Sequence, residues 1–319
     1  MESRWRSFPK IELHRHLEGS LRLSTVLELA QATPAEAESF LVRTPLPDLR
    51  AVLNRFLGTQ KLLSTPEILT RITREVIEDA FADGIRGLEL RYAPTFISMG
   101  HPRLDWPTIH SAILAGVKDC EHLPIAVGLI CIFQRTVPVS LSEQVMDFVA
   151  QTRSTWIGVD LADDEALFPA AQFRNLFRRA QILNLPITIH AGETPHSGQN
   201  VIDAIQILGA HRIGHGLQIH RHPEALKLVQ DRRIPLELCP TSNWITTSIA
   251  KLEDHPFHVL ANKGIVTTIN SDDPGIFGID LTNEYEVLSQ RLKVPDEILH
   301  RSHENALAAT FLPHLTLQK

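Results

Sequence analysis

Short apolar segments alternate with amphipathic segments along most of this chain, and this alternation limits the folds open to it. Eight segments have a strand-like composition, and helical periodicity, with apolar positions every three to four residues, precedes each later one. The predicted strands span residues 10–16, 85–92, 124–133, 156–161, 187–190, 212–215, 234–239 and 265–269. Parallel strands joined by helices have this pattern, so the sequence predicts an α/β protein with the architecture of a (β/α)8 TIM barrel.

An open, doubly wound sheet is the alternative architecture for strands and helices in alternation. In its dinucleotide-binding form, such a sheet carries a glycine-rich loop directly after the first strand. Here the first predicted strand ends in His14 and His16, and no such loop follows. The barrel is therefore favoured.

Two helical regions exceed what a minimal barrel requires. The first, from about residue 20 to 82, contains too much helix for one connection, and we predict that it forms an insertion near the active-site mouth. The second is a helical tail over residues 283–312. Because α/β barrels often have this length, we expect residues 1–319 to form a single domain.

The composition is that of an ordinary globular protein, with 43% hydrophobic and 21% charged residues. The net charge is −6 and no lysine- or arginine-rich run occurs, which argues against a nucleic-acid partner. No apolar run approaches the ~20 residues of a membrane span, and the first residues lack a signal-peptide core. The three cysteines are odd in number, so we expect a reducing, cytoplasmic location. Nothing in the sequence specifies an oligomeric state.

Potential metal ligands and acids collect where predicted strands end. Residues two apart on a strand face the same side, so the two histidines of the first strand point together. The carboxyl ends of all strands open on one face of a barrel, where active sites are built. The side chains concerned are His14, His16, His190, His215, Asp272 and Asp273.

Imidazoles combined with a carboxylate suit a divalent transition metal such as zinc. A catalytic zinc site keeps one position open for water and lowers the pKa of that water towards ~7, which favours hydrolytic chemistry. Glu193 follows His190 by three residues on a glycine-containing turn. We predict that Glu193 supplies a proton to the reacting group.

Each of these features has a structural alternative when taken alone. A His-x-His pair is a weak signal, His215 could be a hydrogen-bonded strand residue, and Glu193 could be solvated on its turn. Asp272 and Asp273 could cap a helix. The metal site is favoured because these features fall at the ends of four strands. Other histidines lie in predicted helices or loops and are interpreted as surface or capping groups, such as His101, His110, His122, His220, His222, His255, His258, His300 and His303.

Five motifs, in this order and spacing, resemble those of the adenosine deaminase family within the amidohydrolase superfamily. The resemblance runs from Pro9 to about Leu281. The motifs are Leu-His-Arg-His-Leu-Glu-Gly at 13–19, His-Ala-Gly-Glu at 190–193, Gly-His-Gly at 214–216, Cys-Pro-Thr-Ser-Asn at 239–243 and Asn-Ser-Asp-Asp-Pro at 270–274.

The resemblance implies a specific set of roles. One zinc ion would be held by His14, His16, His190 and Asp272. Glu193 would protonate a purine ring nitrogen, His215 would orient or deprotonate the attacking water, and Asp273 would bond to N7. Hydrolysis at C6 would release ammonia and leave a 6-oxopurine. The resemblance also suggests that Leu53, Phe56 and Leu57 belong to a wall or lid over the substrate, although plain core of a helical hairpin is an equal alternative.

Two residues depart from the pattern of adenosine-deaminating members. Those members carry an aspartate, which meets the ribose 5′-hydroxyl, where this chain has Glu18, one methylene longer. They also carry a glycine, close to purine N3, where this chain has Asp163. Both changes bear on substrate choice, and neither touches the implied zinc site.

The predicted function is zinc-dependent hydrolytic deamination of a small 6-aminopurine, foremost adenosine or 2′-deoxyadenosine. Adenine, 6-aminodeoxyfutalosine and N6-methylated adenine nucleotides are the alternatives within the family. A non-deaminating binuclear amidohydrolase would carry a metal-bridging lysine on the fourth strand, and residues 156–161 contain none. A non-catalytic binding protein would be expected to have lost a ligand or Glu193, and none is missing.

Overall fold

Eight parallel strands form the centre of the fold. The structure is a computed structural model and describes residues 3–47 and 49–313. The strands are β1 (Lys10–His16), β2 (Ile85–Tyr92), β3 (Ala126–Gln134), β4 (Gly158–Ala162), β5 (Thr188–Ala191), β6 (Arg212–His215), β7 (Leu236–Leu238) and β8 (Thr267–Ile269). They pair in sequence order as β1-β2-β3-β4 and β5-β6-β7-β8.

Backbone contacts join these two half-sheets at both edges. Between β4 and β5, the Val159 amide donates to the Pro186 carbonyl at 2.9 Å. Between β8 and β1, the His16 amide donates to the Asp272 carbonyl and the Asp272 amide donates to the His14 carbonyl, both at 2.9 Å. The strands therefore close into a barrel, which confirms the predicted fold class.

Helices cover the barrel between successive strands. In the described part of the chain they are α1 (Leu23–Ala30), α2 (Leu49–Gln60), α3 (Pro66–Ala82), α4 (Pro94–Ser98), α5 (Trp106–Asp119), α6 (Val139–Gln151), α7 (Arg174–Ile182), α8 (Gly198–Gln206), α9 (Pro223–Arg232), α10 (Pro240–Ile245), α11 (Phe257–Asn262), α12 (Pro274–Phe277), α13 (Leu281–Glu286) and α14 (Asp296–Ala309). A π-helical turn, Val287–Arg291, follows α13. None of these helices is long and apolar enough to cross a membrane.

The region from 20 to 82 is not uniformly an insertion. Helix α3 starts at a threonine cap, with the Thr65 hydroxyl accepting from the Ile68 amide, and packs against β2 and α5 as a barrel helix. The additional elements are α1, a 3-10 turn at Pro34–Ser39 and α2. Val52 of α2 packs with Ile276 and Phe277, which follow β8, so α2 lies beside the carboxyl ends of the strands.

The helical tail completes the barrel instead of extending from it. Helix α14 packs on β1 and β8, where Ala306 and Leu307 cover Ile11 and Leu13. The last helix in sequence thus covers the seam between the first and last strands. This position explains why a helix is required after β8.

Two histidines that we interpreted as surface or capping groups are buried instead. The interpretation was wrong for His110, whereas His255, although not on the surface, accepts from the amide of Phe257 at the start of α11. His110 is 3% exposed and its ring stacks on Trp156, with ring centroids 4.4 Å apart. His255 is 5% exposed and hydrogen-bonds the side chain of Asn243. In both cases the ring nitrogens have protein partners, which makes burial of the polar ring possible.

Candidate active site

The predicted site residues meet at the carboxyl ends of the strands. His14 and His16 lie on β1, His190 on β5 and His215 on β6, while Asp272 follows β8. His215 and Asp272 have positive φ angles of 62° and 65°, in a region that side chains other than glycine rarely adopt. Such backbone strain is common at functional sites, because the surrounding structure must hold it in place.

The three imidazoles and one carboxylate form a compact group. Nε2 of His16 lies 3.4 Å from Nε2 of His14 and 3.2 Å from Nε2 of His190. Oδ1 of Asp272 lies 3.3 Å from Nε2 of His14 and 3.2 Å from Nε2 of His16. Ligands that surround zinc tetrahedrally at about 2.0–2.1 Å are about 3.3 Å apart. The four side chains therefore fit one four-coordinate ion.

Buried carboxylates orient two of these imidazoles. Nδ1 of His14 lies 2.7 Å from Oε2 of Glu237, and Nδ1 of His190 lies 2.9 Å from Oδ2 of Asp160. When Nδ1 donates to a carboxylate, the lone pair of Nε2 is free to bind a metal. Arg91 holds both carboxylates, at 2.8 Å from Asp160 and 2.9 Å from Glu237.

The charge state of these two carboxylates follows from their partners. Burial opposes ionisation, but the charges of His190 and Arg91 keep the pKa of Asp160 below its ordinary value. In the same way, burial is outweighed by Arg91 and Arg212, which hold the pKa of Glu237 well below its usual range. Both groups are therefore anionic acceptors for the histidine N–H groups.

Asp272 is itself held by a hydroxyl group. Its Oδ2 accepts a 2.7 Å hydrogen bond from Oγ of Ser242, on α10. This bond leaves Oδ1 directed at the imidazole nitrogens. One oxygen of Asp272 thus fixes the orientation of the side chain while the other is available to the ion.

Glu193 is placed on a turn that another glutamate organises. The carboxylate of Glu165 accepts from the backbone amides of Gly192, Glu193 and Thr194 at 2.7–2.9 Å. Gly192 has φ of 71°, and a Cβ atom there would lie 2.6 Å from Val201, so glycine is required. The turn presents the Glu193 carboxyl group to the cluster, with Oε2 lying 3.6 Å from Nε2 of His215.

The Glu193 carboxyl group is suited to carry a proton. Burial raises its pKa to about 8, with further contributions from the negative charges of Asp272 and Glu165. A carboxyl group with this pKa is mostly protonated at neutral pH and can act as a general acid.

His215 faces the same centre from β6. Its Nε2 lies 3.9 Å from Oδ2 of Asp272, farther than the nitrogens of His14 and His16 lie from Oδ1. Its Nδ1 is 3.0 Å from Nδ2 of Asn243. His215 is close enough to be counted with His14, His190 and Asp272 as a possible ligand, since all four ligand atoms lie within 4.8 Å of one another. The shorter distances favour His16 in that role.

Asp273 lies against the backbone of Gly19. A Cβ atom at Gly19 would be 1.7 Å from Oδ1 of Asp273, so any larger residue would displace this carboxyl group. Oδ1 is buried and has no hydrogen-bond partner among the described residues. Burial and the neighbouring Asp272 charge raise the pKa of Asp273 well above its ordinary value, so it can donate a proton in a hydrogen bond.

Glu18 has one oxygen engaged and one open. Its Oε1 accepts from the Ala93 amide at 2.7 Å, whereas Oε2 is buried and unpartnered among the described residues. Burial raises the pKa of Glu18 to about 7. A buried polar atom without a partner is uncommon in folded proteins, so Oε2 of Glu18 is a free acceptor at the cavity wall.

Asp163 follows β4 and adopts a strained backbone with φ of 93°. Its carboxylate accepts a hydrogen bond from the hydroxyl of Thr136 and a longer one, of 3.5 Å, from the amide of Gln134. These three side chains lie side by side on the cavity wall. The carboxylate that replaces the expected glycine is therefore anchored to the wall.

The cluster lies in a cavity of about 680 Å³. Apolar side chains form much of its lining, including Val52, Phe56 and Leu57 of α2 and Met99 after α4. Among the described residues that line it there is no lysine or arginine. The side chain of Leu53, predicted with Phe56 and Leu57 to form a wall, lies outside the described residues.

Several residues that organise the site received no role in it from the sequence. They are Arg91, Asp160, Glu165, Glu237, Asn243 and His255. A signal existed for some of them: Glu237 is a charged residue inside a short apolar strand, between Leu236 and Leu238. A charge in such a position must have a buried partner. Asp160 and Glu165 belong to the segment in which only Asp163 was singled out.

A parallel barrel that brings histidines and aspartate together at its carboxyl end, beside a buried acid, has the design of the amidohydrolase superfamily. Comparison with known proteins narrows this class. The chain matches the Adenosine deaminase family over residues 9–318. It therefore belongs to the adenosine deaminase family, which consists of hydrolytic deaminases that act on amidine C–N bonds.

Similar proteins differ in the compounds their names specify. An adenosine deaminase of Klebsiella pneumoniae is 33% identical over 316 residues, covering 96% of this chain and 94% of the relative. Among solved structures, an adenine deaminase from Arthrobacter aurescens superimposes with a TM-score of 0.88 at 26% identity, covering 96% and 94% of the two chains. An N6-methyl-AMP deaminase from Arabidopsis thaliana superimposes with a TM-score of 0.84 at 29% identity, covering 97% of this chain and 94% of the other chain.

Proposed function

We propose that this protein catalyses the zinc-dependent hydrolytic deamination of an uncharged 6-aminopurine nucleoside, adenosine or 2′-deoxyadenosine, to the 6-oxopurine and ammonia. The observation that carries the proposal is the Glu193 carboxyl group, poised to carry a proton beside a four-ligand cluster in a cavity without lysine or arginine among its described residues. Membership of the adenosine deaminase family supports the reaction type.

One zinc ion would be held by His14, His16, His190 and Asp272, whose donor atoms have the spacing of a tetrahedral site. When bound, zinc supplies a nucleophile for hydrolysis by lowering the pKa of a water molecule. Asp160 and Glu237 keep the Nε2 lone pairs of His190 and His14 directed at the ion.

The remaining side chains act on the purine. Glu193 donates its proton to the ring nitrogen beside C6, so that attack on C6 does not build negative charge on the ring. Asp273, kept protonated by its buried surroundings, donates a hydrogen bond to N7. His215, whose Nε2 lies 3.6 Å from Glu193 and 3.9 Å from Asp272, would contact the attacking water. Together these groups hold the reacting carbon between a proton donor and a nucleophile.

Charge favours a nucleoside over a nucleotide. The cavity carries the carboxyl groups of Glu18, Asp163, Glu193, Asp272 and Asp273, and its described lining contains no lysine or arginine. A phosphate group would be brought near these acids without a lysine or arginine side chain in the described lining to pair with. N6-methylated adenine nucleotides are therefore expected to be poor substrates, in contrast to the substrate named for the Arabidopsis relative.

Pocket size and one open acceptor favour a ribose. The cavity extends well beyond the cluster, with a volume of about 680 Å³. Oε2 of Glu18 is buried without a partner among the described residues and can accept a hydrogen bond from a sugar hydroxyl. Asp163 lines the same cavity and is a second candidate for contact with the substrate.

Adenine is the second candidate substrate. Glu18 reaches one methylene farther than an aspartate would, so it can occupy part of the space that a ribose needs. The similarity to the Arthrobacter adenine deaminase supports this possibility. Replacing Glu18 by aspartate then raises the ratio of kcat/KM for adenosine to that for adenine.

A substrate panel tests the proposal. Zinc-replete protein is assayed for ammonia release with adenosine, 2′-deoxyadenosine, adenine, 6-aminodeoxyfutalosine, AMP and N6-methyl-AMP, beside a Glu193→Gln control prepared in the same way. We expect the highest kcat/KM with the two nucleosides. A higher kcat/KM for adenine or 6-aminodeoxyfutalosine would contradict the proposed substrate. The absence of turnover with every 6-aminopurine would refute the proposed function.

The arrangement of the chain also supports proposals on its domain organisation and its cellular location. We propose that residues 1–319 work as a single domain, since the site takes residues from β1 through β8. We also propose a cytoplasmic location: Cys120, Cys131 and Cys239 are buried free thiols, a state that a reducing compartment maintains.

A further inference from the structure

We infer that Asn243 and His255 are positioning residues that determine which nitrogen of His215 carries its proton. In this arrangement His215 directs an N–H group, from Nε2, at the reaction centre. The inference rests on the proposed function for the role of His215 in catalysis, but the arrangement of protons stands on hydrogen-bond geometry and does not require a substrate.

A backbone amide fixes the position of the proton on His255. The backbone amide of Phe257 lies 3.2 Å from Nδ1 of His255 and can only donate, so Nδ1 of His255 must supply a lone pair. The ring is buried, and burial lowers the pKa of His255 to about 3, which keeps it neutral. A neutral imidazole has one proton, and here it must reside on Nε2.

The direction of the next hydrogen bond follows. Nε2 of His255 lies 3.1 Å from the side-chain oxygen of Asn243, which accepts the N–H. The opposite orientation of the amide would place its NH2 group against an N–H group, so that two buried donors would face each other. The side chain of Asn243 is fully buried, which leaves no water to relieve such a mismatch. The amide orientation is therefore determined by His255.

The third hydrogen bond transfers this orientation to His215. With its oxygen facing His255, Asn243 directs its NH2 group at Nδ1 of His215, 3.0 Å away. Nδ1 of His215 must therefore accept, and the single proton of the neutral ring resides on Nε2. Nε2 lies 3.6 Å from Glu193 and 3.9 Å from Asp272, so it faces the place where water and purine would meet.

This arrangement decides between two roles for His215. An Nε2–H group can donate a hydrogen bond to the oxygen of the attacking water and so orient its lone pair towards C6. It cannot remove a proton from that water, because the nitrogen that faces the water has no free lone pair. His215 therefore orients the nucleophile and does not act as its base.

Nuclear magnetic resonance tests the inference without substrate. Metal-free protein is labelled with 15N-histidine, and two-bond 1H–15N correlations are recorded at about pH 7.5, with His215 assigned by its loss in His215→Gln. We expect Nδ1 of His215 to have the 15N chemical shift of an unprotonated nitrogen and Nε2 to have that of a protonated nitrogen. A protonated Nδ1 in this spectrum, in either the other tautomer or the cation, would overturn the inference.

A variant of Asn243 reverses the expected pattern. In Asn243→Asp both side-chain oxygens accept, so His215 should move its proton to Nδ1 and leave a lone pair at Nε2. We expect the two nitrogen shifts of His215 to exchange, and kcat to fall at least about tenfold with KM within about twofold. An unchanged tautomer in a folded Asn243→Asp protein would contradict the inference. If this variant does not fold, the wild-type spectrum still decides.

Two further variants separate positioning from a general loss of packing. His255→Gln retains an N–H donor for Asn243 and should keep the wild-type pattern of His215, whereas His255→Leu should broaden or mix the two tautomers. His110→Gln removes a buried histidine from a separate network, with Tyr92 and Thr155, and should leave His215 unchanged. Equal spectra of His215 in His255→Gln and His255→Leu would overturn the role of His255. Because none of these spectra involves substrate, a wrong substrate assignment would not affect them.

Discussion

Buried carboxyl groups in the site differ in charge state, and the difference comes from the side chains around each of them. Asp160 and Glu237 are bonded to Arg91, which keeps them anionic despite their burial. Glu193 and Asp273 lie among other acids, and burial raises the pKa of both. One kind of functional group thus supplies both acceptors and proton donors within a single site.

Replacement of Glu193 by glutamine tests its role as the acid. Glutamine preserves the shape of the side chain but cannot transfer the proton, so kcat should fall by about 10²–10⁴-fold while the fold is retained. Steady-state kinetics with the best substrate of the panel measures the effect. The exposed Glu224 at the start of α9 offers a matched control, Glu224→Gln, which should retain wild-type activity. Turnover within tenfold of wild type in Glu193→Gln would remove Glu193 from the mechanism.

His110 makes stability depend on pH. Burial lowers the pKa of His110 to about 4, whereas an unfolded histidine has a pKa of about 6.5. The fold therefore favours the neutral ring. Its contribution to the free energy of unfolding is complete above about pH 6.5 and is lost as the pH falls towards about 4.

The expected difference appears in urea denaturation of metal-free protein. Between about pH 7.5 and about pH 5.5, wild type should lose about 1 kcal/mol more stability than His110→Gln. The exposed His122 provides the control, since His122→Gln should retain the wild-type pH dependence. Identical pH dependence in wild type and His110→Gln would show that His110 does not contribute.

At the level of elements, the side chain of Gln60 links α2 to the opposite wall of the cavity. The amide of Gln60, at the end of α2, donates to the carbonyl oxygens of Phe96 and Met99, at 3.0 and 2.5 Å. Phe56 and Leu57 precede it by one turn and line the cavity. Gln60 thus connects the helix that forms one wall with α4, which forms another.

Replacement of Gln60 by leucine should loosen this wall. Without the hydrogen bonds, α2 must be ordered when the substrate binds, so KM should rise several-fold with a smaller change in kcat. Kinetics and limited proteolysis within residues 49–60 measure the two effects. Gln230→Leu removes a similar side-chain to backbone bond, to Lys263, far from the site, and serves as the control. An unchanged KM and unchanged proteolysis in Gln60→Leu would show that Gln60 does not hold the wall.

Across the whole molecule, charged pairs connect the two half-sheets through the barrel interior. Arg91 of β2 binds Glu237 of β7, and Arg212 of β6 binds Glu89 of β2 at 2.5 Å. Charged side chains in the interior require such pairing, because an unpaired buried charge is strongly unfavourable. The cluster of His14, His16, His190 and Asp272 contacts this network through the His14–Glu237 and His190–Asp160 pairs. Strands β1 and β5 and the end of β8 are thereby connected to it.

Metal removal should therefore destabilise the whole barrel. An ion that binds only the folded state adds about 4 kcal/mol to the free energy of unfolding when its free concentration is about 1,000 times Kd. This stabilisation corresponds to a rise of several degrees in Tm. Thermal unfolding is measured with zinc, after chelation and after zinc is restored, together with the metal content per chain. Wild type should regain its Tm with one zinc per chain. His16→Ala, which lacks one ligand, should respond much less, and an equal response would place the ion elsewhere.

Much of the fold was readable from the sequence because it depends on local periodicity. The alternation of strands and helices predicted the barrel, and the bounds of β1, β2 and β6 agree with those predicted. Strands β7 and β8 are shorter than their apolar segments: β7 spans only Leu236–Leu238 within the predicted 234–239, and β8 spans only Thr267–Ile269 within the predicted 265–269. Strand β5 keeps its predicted length but lies one residue later, at Thr188–Ala191. An apolar composition continues past the last paired residue, whereas a strand ends where its neighbour stops pairing.

The sequence by itself determined the barrel, the family and the set of residues proposed to hold zinc. The barrel follows from local periodicity, and the family and the proposed ligands follow from motifs whose members are a few residues apart. Only the tertiary structure decided which groups surround them. It paired Glu237 with His14 across 223 positions and linked His255 to His215 through Asn243. It also assigned α14 to the seam between β1 and β8. Charge state and tautomer depend on neighbours that folding brings from distant parts of the chain, and local sequence does not specify such neighbours.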